Sequence, residues 1–100
     1  MNVHFRASFA RDTKKISNKD NFKHVRETIE QIERAAGLQD IHGLTKLKGG
    51  RNYYRVRVGE YRISMILEAD AFVFVRCLDR KEIYRYFPQL IYWSARSALR

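Results

Sequence analysis

The sequence predicts an α+β domain in which helices cover one face of an antiparallel β-meander, and three observations carry that reading. Apolar residues recur at spacings of three and four from Phe22 to Ala36. Three strand-like runs lie between Tyr53 and Leu78, separated by tight turns. No repeat, linker or low-complexity stretch interrupts the 100 residues, so 1–100 reads as one domain.

In chain order, Val3–Phe5 reads as a short first strand. A short helix follows from Ser8, with Phe9, Thr13 and Ile16 on one side, ending near Ser17-Asn18. The next helix has an apolar stripe of Phe22, Val25, Ile29, Ile32 and Ala36, with Asp20 as its expected N-cap and Gly37 as its expected C-cap. Lys23–Glu27 and Arg26–Glu30 lie four apart on its solvated side. Leu38, Ile41, Leu44 and Leu47 are expected to pack a connection against the core, and Gly49-Gly50 frees the backbone before the sheet. The strands are expected at Tyr53–Val58, Tyr61–Glu68 and Ala71–Leu78. Lys81–Phe87 fits two helical turns ending at Pro88, and Gln89–Leu99 a final helix.

With 45% hydrophobic and 13% aromatic residues, the chain can form a core, which excludes wholesale disorder. Twenty lysines and arginines against 11 acids give a net charge of +9, which points to a polyanionic partner. The single cysteine, Cys77, can make no internal disulfide and reads as a buried, reduced thiol. No stretch resembles a signal peptide or a membrane span, so a soluble, cytoplasmic protein is expected. His4, His24 and His42 lack metal-ligand spacing and read as surface or packing residues.

The segment YYRVRVGEYR raises the functional question. A two-residue turn at Gly59-Glu60 places Val58 opposite Tyr61, and hence Arg57 opposite Arg62, Val56 opposite Ile63 and Arg55 opposite Ser64. Alternation then puts Tyr54, Val56, Val58, Tyr61, Ile63 and Met65 on the core face and Arg55, Arg57, Arg62 and Ser64 on the other. Like charges directly opposite one another weaken a sheet, and only Glu60 is acidic between Lys46 and Arg62. An anion site is the reading that explains the arrangement. Lys46, Lys48 and Arg51 extend the basic run, Arg80 follows the third strand, and Tyr84 lies one helical turn beyond it. Arginine forks match phosphate oxygens, and a tyrosine ring stacks on a base.

KLKGGRNYYRVRVGEYRI, followed by FVFVRCLDRKEIYRYFP, resembles the RelE/ParE superfamily of toxins from type II toxin–antitoxin pairs, over most of the chain. The resemblance implies the RelE-like microbial RNase fold: a short N-terminal strand and two helices on an antiparallel meander, with a C-terminal helix. In the RelE branch it further implies a nuclease that enters the ribosomal A site and cuts mRNA by attack of a ribose 2′-hydroxyl on the adjacent phosphate. On that reading Arg62 and Arg80 stabilise phosphate charge and Tyr84 stacks on or orients the scissile nucleotide. Lys46, Lys48, Arg51, Arg55 and Arg57 then bind the RNA backbone. No cluster of acids lies among these positions, so no metal or cofactor is expected. Many relatives have histidine where this chain has Asp79, leaving the general base open between Asp79, Tyr84 and a ribosomal group.

Two other functions share the fold: a ParE-type inhibitor of DNA gyrase without nuclease activity, and an inactive basic RNA-binding relative. The expected partners are a cognate antitoxin, in a toxin–antitoxin hetero-oligomer, together with mRNA and the ribosome. The tail PQLIYWSARSALR carries Leu90, Ile91, Tyr92 and Trp93 in a row, suited either to its own core or to antitoxin docking. If it docks, deleting residues 89–100 weakens antitoxin binding more than RNA binding; unchanged antitoxin affinity in a calorimetric titration would exclude this.

Overall fold

The meander forms because Tyr53–Val58 and the first half of Tyr61–Glu68 alternate between a core face and an open face, Ala71–Asp79 is almost wholly apolar, and the turns between them are ones the sequence can make. A computed structural model of the chain describes residues 1–48 and 52–82. Its elements are β1 (Asn2–Phe5), α1 (Ala7–Lys14), α2 (Lys19–Arg34), a 3₁₀ turn (Leu38–Asp40), β2 (Leu44–Lys46), β3 (Tyr53–Val58), β4 (Tyr61–Glu68) and β5 (Ala71–Asp79). The sheet runs β1-β5-β4-β3-β2, with β1 parallel to β5 and every other pairing antiparallel. At the β3–β4 turn Gly59 takes φ +58°, a value glycine adopts at no steric cost. The β4–β5 turn makes Ala69 do the same at φ +53°.

The helices cover one face, as the α+β reading requires. Phe9, Val25 and Ile32 meet Tyr54, Val56, Ile63, Met65, Phe72, Phe74 and Cys77 in one buried cluster. Phe9 stacks on Phe74 with ring centroids 5.3 Å apart, and Phe5 on Phe74 at 5.1 Å. Cys77 is buried within the cluster, and that burial pushes its thiol up to about 12. Between α1 and α2 lies a groove of about 470 Å³ that includes Phe5 and Phe22, the two exposed large hydrophobic residues among those described.

Several boundaries differ from the sequence expectation. The sheet is mixed and has five strands, because β1 pairs in parallel and the supposed connection at Leu44 contributes β2. With three residues, β2 is too short to show an alternating pattern. The first helix ends at Lys14 rather than near Ser17-Asn18, although Ile16 beyond it is still buried. The N-cap of α2 is Asn18, whose side chain accepts the Asn21 N–H at 3.0 Å, while Asp20 sits in the first turn where its charge suits the helix dipole. The helix stops at Arg34, so Ala35 replaces Gly37 as C-cap. Gly49-Gly50 and the expected final helix lie outside the described residues; of the expected turns after the sheet, only 80–82 are described, and they are helical.

β1 leaves the sheet at Phe5, paired with Phe74, while β5 runs on to Asp79. The backbone groups of this extra length would be left open at the edge. Helix α1 supplies their partners with side chains. Ser8 Oγ donates to the Val75 carbonyl at 2.6 Å, and Asp12 Oδ2 accepts the Cys77 N–H at 2.9 Å. Arg76 closes the arrangement, its Nε donating to Asp12 Oδ2 at 2.7 Å and its Nη2 to Oδ1 at 3.2 Å. Asp12 is the one buried charged residue among those described, so these three donors must offset its desolvation. Asp12→Ala is expected to lower unfolding free energy by roughly 3–5 kcal/mol, measured by chemical denaturation, because it opens the β5 edge and strips Arg76 of its carboxylate.

A candidate anion site on the open face of the sheet

The register of β3 and β4 is the one the sequence predicts. Tyr54 faces Met65, Arg55 faces Ser64, Val56 faces Ile63, Arg57 faces Arg62 and Val58 faces Tyr61. Tyr54, Val56, Val58, Ile63 and Met65 are buried, so Arg55, Arg57, Arg62 and Ser64 occupy the face turned away from the helices. Pairing with the outer strands extends this face. Thr45 on β2 is opposite Arg55, and Arg76 and Leu78 on β5 are opposite Ser64 and Arg62. One cross-strand row therefore reads Thr45, Arg55, Ser64, Arg76, and the next reads Arg57, Arg62, Leu78.

A β-bulge permits this. Ser64 is opposite Arg76 while Met65 is opposite Phe74, so Val75 is the extra residue. The bulge returns Cys77 to the core face beside Ile63, even though it lies three positions, an odd number, beyond Phe74. Apart from Arg76, which is paired with Asp12, the β5 part of the open face is apolar: Val73 and Leu78 are buried there, outside the main cluster. Positive charge is thus concentrated on β3 and β4.

Arg62 is at the centre of that charge. Its pKa is lowered from the ordinary arginine value first by burial, then by the charges of Arg57, Arg55 and Arg80, with Glu60 opposing. Arginine remains a cation at physiological pH despite such a shift. The effect identifies three positive groups whose charge is felt at Arg62, with Arg80 following directly from the end of β5. Arg62 Nη1 donates to the Gly59 and Tyr61 carbonyls, each at 3.1 Å, which holds the guanidinium over the hairpin turn. Arg57 is exposed and Arg55 half-buried. An anion entering here relieves repulsion already present in the folded chain.

Other expected site residues fall elsewhere. Lys46 pairs with Tyr54, which assigns it to the core-side face at the sheet edge, where it is exposed; Lys48 is exposed just past β2. Arg51 and Tyr84 lie outside the described residues. Asp79, one candidate base, is opposite Tyr61 on the core-side face rather than beside Arg62. Its Oδ1 accepts the Glu82 N–H at 2.8 Å, and with Lys15, Tyr61 and Glu82 it lines a cavity of about 70 Å³. Burial, then the charges of Asp79, Cys77 and Glu82, raise the Tyr61 pKa. His4, His24 and His42 are exposed, on β1, on α2 and in the loop before β2.

Ser64 follows from the hairpin register, but Thr45 and the Asp12–Arg76 pair had no separate signal in the sequence, because each depends on a pairing between distant segments. The Asp79 cap did have one. The stretch DRKE places an N-cap residue three before a glutamate, the spacing of a capping box.

No family model matches the chain. The chain is 39% identical over 89 residues to Toxin RelE3 of Methanocaldococcus jannaschii, covering 88% of this chain and all of the relative. A chain of the crystal structure of the RelB-RelE antitoxin-toxin complex from Methanococcus jannaschii superimposes with a TM-score of 0.76 at 37% identity, covering 86% of this chain and 100% of that one. The YoeB dimer from Staphylococcus aureus gives a TM-score of 0.61 at 25% identity, over 77% of this chain and 93% of that one. YafQ from E. coli shares the fold alone, with a TM-score of 0.56 at 13% identity, over 83% of this chain and 97% of that one.

The facing arginines give a stability prediction. Arg57→Gln is expected to raise unfolding free energy by about 0.5 kcal/mol at low ionic strength, by removing the like charge opposite Arg62. The gain shrinks in about 1 M salt, where screening acts within roughly 3 Å. Denaturant titrations at two salt concentrations measure both effects.

Proposed function

The chain belongs to the RelE family of type II toxin–antitoxin toxins, and we propose that it is an endoribonuclease that cuts mRNA in the ribosomal A site and so stops translation. The observation that carries this reading is the grouping of Arg55, Arg57 and Arg62 on one open sheet face, with the charge of Arg80 reaching Arg62. Cleavage by 2′-hydroxyl attack converts a singly charged phosphodiester into a phosphorane with more charge on its equatorial oxygens. Fixed cations stabilise that change more than they stabilise the ground state.

In this mechanism Arg62 and Arg80 contact the scissile phosphate, while Arg55 and Arg57 hold the flanking backbone. The hydroxyls of Thr45 and Ser64, opposite Arg55 across the strands, offer further hydrogen bonds to the same backbone. Tyr84 stacks on or orients the nucleotide being cut. Lys46, Lys48 and Arg51 form an outer basic rim that guides RNA toward the sheet. Arginine is too basic to accept the 2′-hydroxyl proton, so the acceptor is Tyr84 or a group of the ribosome. In-line geometry is imposed by the A-site codon, which explains why such a reaction needs the ribosome.

The solved RelB-RelE complex pairs a toxin with its antitoxin. By the same logic a cognate antitoxin neutralises this chain in a hetero-oligomer, and acids opposite the arginine face would compete with RNA. No helix among the described residues is long and apolar enough to cross a membrane. Residues 1–100 then act as one toxin domain in the cytoplasm, where its target is found.

A reconstituted translation reaction with defined mRNA, read by primer extension, tests the proposal. Wild type is expected to create new 5′ ends at A-site codons. Arg62→Ala and Arg80→Ala are each expected to reduce their yield about 10²-fold or more. Intact mRNA with normal translation would refute the nuclease reading, and inhibition of gyrase supercoiling in its place would support the ParE-type alternative.

A further inference from the structure

We infer that Asp79 is a positioning residue that sets Arg80 against the arginine cluster by capping the helical turn that carries it. The inference rests on the nuclease reading for its functional consequence, but the cap itself does not. Asp79 is the last residue of β5, and residues 80–82 are helical. Its Oδ1 accepts the Glu82 N–H at 2.8 Å, an N-cap bond to the third helical residue. That bond fixes the direction in which the chain leaves the sheet, and Arg80 is the first residue to follow it.

The face on which Asp79 lies separates this role from proton transfer. Asp79 is opposite Tyr61, and Tyr61 alternates with Arg62 along β4. The carboxylate therefore lies on the helix-covered side, in the small cavity it shares with Lys15, Tyr61 and Glu82. Arg62 is on the other side. A base for the 2′-hydroxyl would have to be among the arginines, within about 3 Å of its proton. A cap has no such requirement. It must only hold the turn, and through it an arginine whose charge is felt at Arg62.

Asparagine caps about as well as aspartate, but it has no basic oxygen and no charge. The conservative variant therefore distinguishes the two roles. In the full chain, Asp79→Ala is expected to lower ribosome-dependent cleavage about 3–30-fold, and Asp79→Asn to restore it to within about twofold of wild type. A general base lost to asparagine would instead cost about 10²-fold or more, and that result would overturn the inference. A double-mutant cycle supplies the second readout. In an Arg80→Ala background, Asp79→Ala is expected to add less than about twofold, whereas a general loss of folding would lower both backgrounds equally and overturn it.

Hydrogen exchange at the Glu82 amide, followed by NMR, tests the cap without RNA. Protection is expected in wild type and Asp79→Asn and is expected to be lost in Asp79→Ala; equal protection in all three would refute the cap. If wild type cuts no mRNA, the nuclease reading fails alone. The positioning role is then judged from inorganic phosphate titrations of the same variants, in which Asp79→Ala must weaken binding only when Arg80 is present.

Discussion

The fold depends on how one carboxylate is used at the edge of β5. Where β1 departs, the strand has no neighbour to take its backbone N–H groups, and Asp12 supplies an acceptor from α1. A buried charge is costly unless several donors meet it, and here the Cys77 N–H and both arms of the Arg76 guanidinium do so. The interaction joins the short helix to the longest strand where β5 continues beyond β1, paired there with β4. That added length carries Cys77 into the core and brings the chain to Asp79 and Arg80.

On the open face the forces run against stability. Arg57 and Arg62 are direct cross-strand partners, and burial of Arg62 adds a second cost to their repulsion. The strands hold their register because the other face buries Val56, Val58, Ile63 and Met65, whose apolar contacts far outweigh a few tenths of a kcal/mol lost between arginines. A one-residue slip would exchange the two faces. The hydrophobic pattern thus fixes the position of the cations. Folding stability alone would not select the facing Arg57 and Arg62.

The hairpin was legible in the sequence because every constraint on it is local. Gly59 sets the turn, and alternation assigns each side chain to a face, so the pairing from Tyr54–Met65 to Val58–Tyr61 could be counted directly. The three long strands and the α2 stripe were legible for the same reason. β2 was not, since Leu44–Lys46 becomes a strand only by pairing with β3, and the parallel pairing of β1 with β5 joins residues about 70 positions apart. Asp12 was hidden for a related reason: on a short helix it reads as a surface acid, and its burial appears only once β5 lies beside α1. The α2 caps misled because Asp20 and Gly37 suit their roles by residue type, while the chain gives those roles to Asn18 and Ala35. Lys46 was grouped with the arginines by proximity in sequence, a criterion blind to the alternation that assigns it to the other side.

The acids around β5 have one feature in common. Asp12 is turned to the strand edge, and Asp79 to the helix-covered side, where its carboxylate is bound by a backbone N–H. Either would neutralise part of the cluster if it were aimed at the arginine face, and a neutralised cluster would hold phosphate weakly. Both instead satisfy backbone donors, which stabilises the scaffold while keeping negative charge off the arginine face. Glu60 in the hairpin turn is the acid that opposes the shift at Arg62, and its effect is smaller than those of burial, Arg57, Arg55 and Arg80. A chain with 11 acids and 20 basic residues could have cancelled much of this positive field internally. Its sheet alternation and capping geometry instead direct the carboxylates of Asp12 and Asp79 to backbone donors away from the arginine face.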